Sequence, residues 1–367
     1  MTTTTLRNSL GLALYLLVVL GFMGCNSSDI PTDSGIAEWL GETVDSSQFA
    51  PVDGSHELTF PTDHGSHDDF MTEWWYITSV LKTDAGREFG VQFTIFRRAL
   101  APDSRSENLW DSGQVYMAHV ALSDVARRKH YDEERISREH PELAGVSTNP
   151  FRAFVENWSV SSISGDFSPL SLRFQADSFA VDLRMSQTKS IVLQGENGYS
   201  VKSPEHASYY YSIPRMSTEG SLTIGKRSYE VVGLSWMDRE WSSGLLGRQY
   251  EGWYWFALSF EDGRDLIFFS LRDRETGMDS NRMASWIEVD STTTPIARDS
   301  WSVKPTRYWK QWPVEWELSV KDSRFVVSAK FENQEMNTRI SYWEGIVDIR
   351  KGTSVIGSGY MELTGYQ

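Results

Sequence analysis

Residues 73–78 read Glu73-Trp74-Trp75-Tyr76-Ile77-Thr78, and this aromatic run decides the fold. A turn sequence, Asp84-Ala85-Gly86-Arg87, comes next and is followed by an apolar segment from Val91 to Arg97. On both sides of the turn the side-chain character alternates with a period of two, which is the pattern of an antiparallel hairpin with two different faces. The stretch therefore predicts a β-hairpin.

The same motif occurs a second time, far along the chain. Gly252-Trp253-Tyr254-Trp255-Phe256-Ala257 precedes the turn Asp262-Gly263-Arg264 and a second strand from Leu266 to Arg272. A repeat at this separation implies two similar domains and not a solenoid of short units. Many further strand-like segments with turn signals between them favour sandwiches or barrels. We predict an all-β chain with two related antiparallel domains, and a short helix or long loop in the polar stretch from Ser123 to Pro141.

Length and composition agree with two domains and narrow the choice of partners. A chain of 367 residues is too long for one ordinary core and suits two domains of roughly 150 residues each. The 15 Trp, 15 Tyr and 18 Phe residues are enough to fill large cores or to line a cavity. The formal net charge of −15 repels phosphate backbones, so nucleic acid is not an expected partner.

The first 25 residues read as a targeting signal. Arg7 precedes an apolar core from Leu10 to Leu20, and the segment ends in Gly21-Phe22-Met23-Gly24-Cys25. This core is too short for a spanning helix. It resembles a bacterial lipoprotein signal, which implies cleavage before Cys25 and lipidation of its thiol; a plain secretory signal is the alternative. Cys25 is the only cysteine, so the mature protein is expected to contain neither a disulfide nor a catalytic thiol.

These features predict where the protein lies and how it is divided. Acyl chains hold a protein on a membrane surface without a transmembrane segment, and Asn26 after the cysteine favours the periplasmic face of the outer membrane in a bacterial cell envelope. Residues 1–24 are the predicted signal peptide, and residues 25–50 are a Ser- and Asp-rich flexible tether. Residues 51–243 and 244–367 are the two predicted domains.

Familiar catalytic and cofactor signatures are absent from the sequence, so no cofactor is expected. There is no Gly-x-Ser-x-Gly elbow, no His-Glu-x-x-His and no Gly-x-Gly-x-x-Gly. The spacing of Gly220, Gly225 and Lys226 imitates a phosphate-binding loop. Arg227 occupies the position of the required Ser or Thr, however, and the flanking residues predict hairpin strands.

One loop has the composition of a metal site. Residues 63–69 contain two imidazoles and three carboxylates, which are ligand types that suit zinc or manganese. The alternative is a solvated loop that leads into the Glu73 strand. Nothing in the sequence fixes a coordination geometry, so no metal is assigned.

The strongest chemical constellation runs from Gly233 to Trp241. Asp238, Arg239 and Glu240 lie between Trp236 and Trp241, and charges beside large apolar groups must be paired or have shifted pKa values. An acid in such surroundings can stay protonated near neutrality and donate a proton, while aromatic faces stabilise a cation. Asp238 and Glu240 are therefore the candidate catalytic residues. The alternative is an ion-pair cluster of the three residues between the two domains.

Other polar and aromatic residues in the apolar strands are candidates for ligand binding. Polar groups in such positions either face a pocket or pair with one another at a rim. The candidates are Glu73, Trp75, Arg97, His119, Tyr210, Arg239, Trp241, Trp253, Trp255 and Arg272.

Several ordered motifs resemble the AttH/CrtC-like group of secreted proteins over nearly everything from about residue 51 to the end. They are Glu73-Trp74-Trp75-Tyr76, Val115–His119, Ser208–Ser212, Trp236–Trp241, Gly252–Phe256, Tyr342–Gly345 and Gly359–Tyr366. The resemblance implies two tandem lipocalin-like antiparallel β-barrels. The group includes carotenoid 1,2-hydratases, predicted secreted hydrolases and lipoproteins associated with an ABC export system.

The resemblance implies three functions, which the sequence leaves open. The first is a membrane-anchored lipoprotein that binds a hydrophobic or amphipathic ligand, such as a lipid or isoprenoid, in an aromatic-lined cavity. The second is a hydro-lyase similar to carotenoid 1,2-hydratase, with Asp238, Glu240, Trp241 and Trp253 as donor and cation shelter. Arg239 stands where the hydratases carry a histidine, and arginine cannot shuttle protons near neutrality. The third is an accessory lipoprotein that docks onto ABC transporter components.

Overall fold

The two Trp-rich motifs form antiparallel hairpins, as the sequence predicts. In a computed structural model that describes residues 46–102, 112–204, 206–244, 247 and 249–366, β1 (Thr72–Lys82) pairs with β2 (Glu88–Ala99), and β14 (Tyr250–Phe260) pairs with β15 (Asp265–Asp273). Each hairpin belongs to a different sheet. The predicted signal peptide, the lipidation site Cys25 and most of the tether lie outside the described residues.

The first sheet contains 13 strands among the described residues and follows the order β4-β3-β2-β1-β13-β12-β9-β8-β7-β6-β5, with β10 and β11 beside β12. Its strands after β2 are β3 (Gln114–Asp124), β4 (Lys129–Arg138), β5 (Ala144–Thr148), β6 (Phe151–Val155), β7 (Trp158–Ser162), β8 (Leu170–Gln175), β9 (Phe179–Gln187), β10 (Val192–Leu193), β11 (Tyr199–Ser203), β12 (His206–Ile224) and β13 (Arg227–Ser242). The Gly225-Lys226 turn joins β12 to β13, which confirms the hairpin predicted there.

The second sheet contains 10 strands in the described part of the chain, in the order β17-β16-β15-β14-β23-β22-β20-β19-β18, with β21 beside β22. Its strands after β15 are β16 (Asp279–Ile287), β17 (Thr293–Pro295), β18 (Trp301–Trp309), β19 (Trp312–Val320), β20 (Ser323–Ala329), β21 (Glu335–Met336), β22 (Tyr342–Lys351) and β23 (Ser354–Leu363). Four short 3-10 helices are the helical elements of the described residues: Ser46–Gln48, Thr62–His64, Val125–Arg127 and Arg298–Ser300. No helix in these ranges is both long enough and apolar enough to span a membrane.

Each sheet curls around its own core, which confirms the prediction of two tandem lipocalin-like barrels. Side chains at alternating positions along the strands point inward and fill the first core. Trp75 and Trp241 are among them. Tyr254, Phe256 and Trp316 belong to the second core. The expectation of a helix or loop from Ser123 to Pro141 is wrong. This stretch contains β4, whose polar composition follows from its position at the edge of the sheet with little of its surface fully buried.

The outward faces of the two sheets pack against each other. Tyr76, Trp236, Trp255, Ile267 and Tyr360 form a shared apolar cluster. Charged contacts also join the sheets: Asp265 of β15 lies 2.8 Å from Lys189 Nζ and 2.9 Å from Arg215 Nε. The docking of the sheets therefore buries side chains that would face water on an isolated barrel.

Candidate functional site

The strand β13 separates the charged residues of its central motif onto two faces. Because successive side chains of a strand point to opposite sides, Trp236, Asp238 and Glu240 face the second sheet, whereas Arg239 and Trp241 face the interior of the first barrel. Arg239 bonds to Glu73 and not to either neighbour. The alternative of an ion-pair cluster among the three residues is therefore wrong.

A cavity of about 70 Å³ lies between the two sheets. Its walls are largely aromatic, with Trp74 and Tyr76 on the first sheet and Trp253, Trp255 and Phe269 on the second. Trp255 meets Tyr76 edge to face with ring centroids 5.1 Å apart. The cavity therefore lies outside both barrel cores, which buried side chains fill.

Asp238 is one of two carboxyl groups, with Glu240, that the first sheet contributes to this cavity. Tyr210 donates a hydrogen bond to its Oδ2 at 2.7 Å. Ser212 and the indole of Trp236 donate to its Oδ1 at 2.5 and 2.7 Å. Burial raises the pKa of Asp238 to about 7, although these three hydrogen bonds act in the opposite direction. Asp238 therefore exchanges a proton near neutral pH.

The second sheet contributes Glu362 of β23 to the cavity wall, and Glu344 of β22 lies directly opposite it across the strands. Trp253 Nε1 donates to Glu362 Oε1 at 2.7 Å, and Tyr76 donates to Glu344 Oε1 at 2.5 Å. Burial and the neighbouring Glu362 raise the pKa of Glu344 well above its usual range. Glu362 keeps partial exposure because it faces the cavity, and the surrounding protein still raises its pKa to about 7. Glu344 therefore stays protonated at neutral pH, since two adjacent carboxyl groups cannot both ionise easily.

Glu240, the second candidate catalytic residue, lines the cavity but is paired. Lys202 Nζ lies 2.9 Å from its Oε1, and Ser208 donates to the same oxygen at 2.5 Å. Lys202 also lies 4.6 Å above the ring of Tyr210. These contacts hold the Glu240 carboxylate in place at the edge of the cavity.

Five of the predicted ligand-binding residues lie inside the first barrel and not at the cavity. Glu73 accepts from Arg97 and from Arg239, the latter at 3.0 Å. Burial alone would raise the pKa of Glu73, but Arg97, His67 and Arg239 together hold it below its usual range. Arg239 Cζ lies 3.9 Å from the centroid of the Trp75 ring, and Trp241 belongs to the same core. Arg239 therefore does not reach the cavity.

The remaining predicted residues divide between the cavity and its surroundings. Tyr210, Trp253 and Trp255 line the cavity. His119 lies beside it, with Nδ1 2.9 Å from the hydroxyl of the cavity residue Tyr342. Arg272 holds the end of the chain by donating to the carbonyls of Thr364 and Gly365.

Four residues around the cavity are not among the site residues predicted from the sequence: Tyr76, Lys202, Glu344 and Glu362. The sequence does contain a sign that the two glutamates are site residues, because each is an acidic residue within a largely apolar strand. The sequence does not show that β22 and β23 pair with each other and face β13, since that requires the long-range packing of the sheets.

Solved structures share this arrangement of two sheets. A crystal structure from Nitrosomonas europaea that carries the name AttH is 32% identical, with a TM-score of 0.77, and the match covers 87% of this chain and all of that one. Kievitone hydratase from Nectria haematococca shares the fold at 16% identity and a TM-score of 0.65, over 89% of this chain and 96% of that one. A structure of CghA with Sch210972 matches at 11% identity and a TM-score of 0.51, over 79% and 88% of the two chains.

Curated proteins contain no sequence match to this chain. The AttH-like family profile matches residues 51–366, which is nearly the whole stretch that carries the motifs quoted above. The chain therefore belongs to the AttH-like family.

Proposed function

We propose that this protein is an enzyme of the hydro-lyase type, which adds water to a carbon–carbon double bond of an apolar substrate bound between the two sheets. One observation carries the proposal. Asp238 and Glu362 face one aromatic cavity from different sheets, and the pKa of each is raised to about 7. Groups with such pKa values are suited to general acid and base catalysis at neutral pH.

The surroundings of the two acids suggest different roles. Asp238 accepts three hydrogen bonds, which favour its ionised form, whereas burial and the charge of Asp238 favour the protonated form of Glu362. Glu362 is the proposed donor, which protonates one alkene carbon so that a tertiary cation forms on the other. The faces of Trp253 and Trp255 shelter this cation. Water then attacks the cation, and Asp238 takes up the proton that the water releases, so that one molecule of water is added.

The cavity supports the binding of one end of an elongated ligand. Its volume of about 70 Å³ is well below the ~300–1,000 Å³ of sites that enclose drug-sized molecules. A branched isoprenoid end is the group of suitable size and polarity, while the rest of the chain extends out of the cavity. Binding of a lipid or isoprenoid without turnover is the second candidate function, and the aromatic walls favour it.

The membrane anchor and the export association complete the proposal. Lipidation at Cys25 would hold the enzyme on the periplasmic face of the outer membrane, where apolar substrates dissolve. A role beside ABC transporter components stays a prediction from the family resemblance.

Incubation with acyclic carotenoids and squalene-like alkenes tests the enzymatic proposal. We expect a product heavier than the substrate by the mass of one water molecule, detected by mass spectrometry. Asp238→Asn and Glu362→Gln are expected to lower the rate by about 100-fold or more, whereas Asp182→Asn, at an exposed carboxylate of β9, should not change it. Unchanged substrate together with a co-purified lipid would favour the binding function instead, and unchanged substrate without any bound lipid would refute both.

A further inference from the structure

The segment that precedes β1 packs against the core of the first barrel. Leu58 and Phe70 pack against this core, and the backbone N–H of His56 donates to the hydroxyl of Tyr209 at 3.2 Å. Trp75 Nε1 donates to the carbonyl of His64 at 3.0 Å. The barrel therefore fixes the positions of the histidines in this segment.

Three side chains of the segment converge on one point. Asp63 Oδ1 lies 3.2 Å from His56 Nε2 and 3.1 Å from His67 Nε2, and the three ligand atoms all lie within 4.8 Å of one another. In a tetrahedral zinc site with bonds of ~2.0–2.1 Å, neighbouring ligand atoms are about 3.3 Å apart. Both distances to Asp63 match the spacing of a shared metal ion.

The partner of His67 Nδ1 determines which atom faces Asp63. His67 Nδ1 lies 3.1 Å from Glu73 Oε2, and Glu73 is ionised between the guanidinium groups of Arg97 and Arg239. Nδ1 therefore carries the hydrogen and donates it, as in the carboxylate–histidine–metal triads of known sites. When the ring is neutral, the lone pair of Nε2 then points at Asp63 Oδ1.

The carboxylate oxygen Oδ1 of Asp63, which faces Nε2 of His67, is also a hydrogen-bond acceptor. Its Oδ2 already accepts from the backbone N–H of Thr59 at 2.5 Å, which fixes the orientation of the carboxylate. A nitrogen lone pair and a carboxylate oxygen 3.1 Å apart repel each other unless a proton or a metal ion lies between them. One ion satisfies His56, Asp63 and His67 together.

Trp241 packs against one side of the cluster formed by His56, Asp63 and His67, and the other side is open to solvent. The ring of His67 stacks on Trp241 with a centroid separation of 3.8 Å. His56 has 37% of its side chain exposed, so solvent reaches the cluster and can supply a fourth ligand. Three protein ligands with an open position are typical of zinc sites that bind water or a substrate group.

We propose that His56, Asp63 and His67 bind one divalent transition-metal ion, with Zn²⁺ as the ion whose geometry fits best. The sequence assigns no metal because nothing in residues 63–69 fixes a coordination geometry, and His56, which completes the cluster, lies outside that stretch. The proposal does not depend on the enzymatic function, since His67 rests on Trp241 inside the first barrel while Asp238 faces the cavity between the sheets.

Metal titration of the full-length protein, stripped with a chelator, tests the proposal. We expect Zn²⁺ to bind with a stoichiometry of one per chain by calorimetry. Co²⁺ should give the intense visible absorption of a tetrahedral site. Both His56→Ala and Asp63→Asn are expected to weaken Zn²⁺ binding by more than about 100-fold.

His140→Ala is the matched control, because His140 lies outside the cluster, next to β5. His56 is partly exposed, so its replacement should leave the fold intact, which circular dichroism would check. Equal Zn²⁺ affinity in the wild type and in both ligand variants would overturn the proposal, as would a wild type that binds no Zn²⁺. Either result would mean that the three side chains share protons only.

Discussion

Replacement of Asp238 by asparagine is expected to remove a large part of the pH dependence of stability. Burial raises the pKa of Asp238 from 3.8 to about 7, so the native state binds a proton more tightly than the unfolded chain does. A group with a raised native pKa stabilises fully below its unfolded pKa, and this stabilisation is lost as the pH rises through the native value. With these two pKa values, the wild type loses roughly 3 kcal/mol of unfolding free energy from this group between about pH 5 and about pH 8.5.

Asparagine has no titratable group. Between the same two pH values, Asp238→Asn should therefore lose about 3 kcal/mol less unfolding free energy than the wild type. The hydrogen bonds that asparagine fails to reproduce lower stability by a similar amount at every pH, and comparison of the two pH values cancels this loss. Urea unfolding followed by tryptophan fluorescence at each pH measures the difference, with Asp182→Asn as the exposed control. Parallel pH curves for Asp238→Asn and the wild type would refute the claim that the docked sheets raise this pKa.

Three further predictions follow from the same contacts. The hydration rate should show a bell-shaped pH profile centred near 7. Below its pKa the proposed base Asp238 is protonated and inactive, and above its pKa the proposed acid Glu362 is ionised and inactive. A flat profile in steady-state kinetics would contradict these roles. Trp253→Phe removes the 2.7 Å hydrogen bond that stabilises ionised Glu362. The alkaline limb of the pH profile should therefore shift to higher pH by about 1 unit. A limb that stays in place or shifts to lower pH would argue against Glu362 as the acid. Glu73→Gln leaves two buried guanidinium groups without their carboxylate. We expect it to lower the free energy of unfolding by about 3–5 kcal/mol in urea titrations. A loss below about 1 kcal/mol would show that Glu73 does not stabilise the two buried guanidinium groups.

The fold could be predicted from the sequence because its signals are local. The Trp-rich hairpins depend on a period of two and on a short turn, both of which are visible within about 25 residues. The sequence predicts a helix or loop where the structure has the edge strand β4, since an edge strand exposed to solvent has the composition of a loop. A strand of this kind is recognised only through its partner, β3.

The candidate site was predicted in part, and the missing part has one physical cause. The alternation of β13 predicts that Asp238 and Arg239 point in opposite directions, but not which direction faces a cavity. That choice depends on the docking of the second sheet, whose β22 and β23 supply Glu344 and Glu362. For the same reason Glu73 and Arg97, which looked like pocket residues, lie in a barrel core instead.

The location of the acids between the sheets, and not inside a barrel, links their chemistry to the assembly of the two halves. On an isolated barrel the outward face of β13 would be hydrated, and the pKa of Asp238 would lie near that of an ordinary aspartate because desolvation is the main cause of its shift. The second sheet removes this water and brings Glu362 within range of Asp238, whose charge adds to the effect of burial in raising the pKa of Glu362. Asp265, held by Lys189 and Arg215 of the first sheet, contributes to keeping the two sheets together. The proposed acid catalysis at neutral pH therefore requires both barrels, because neither one alone provides Asp238, Glu362 and the dry surroundings that raise their pKa values.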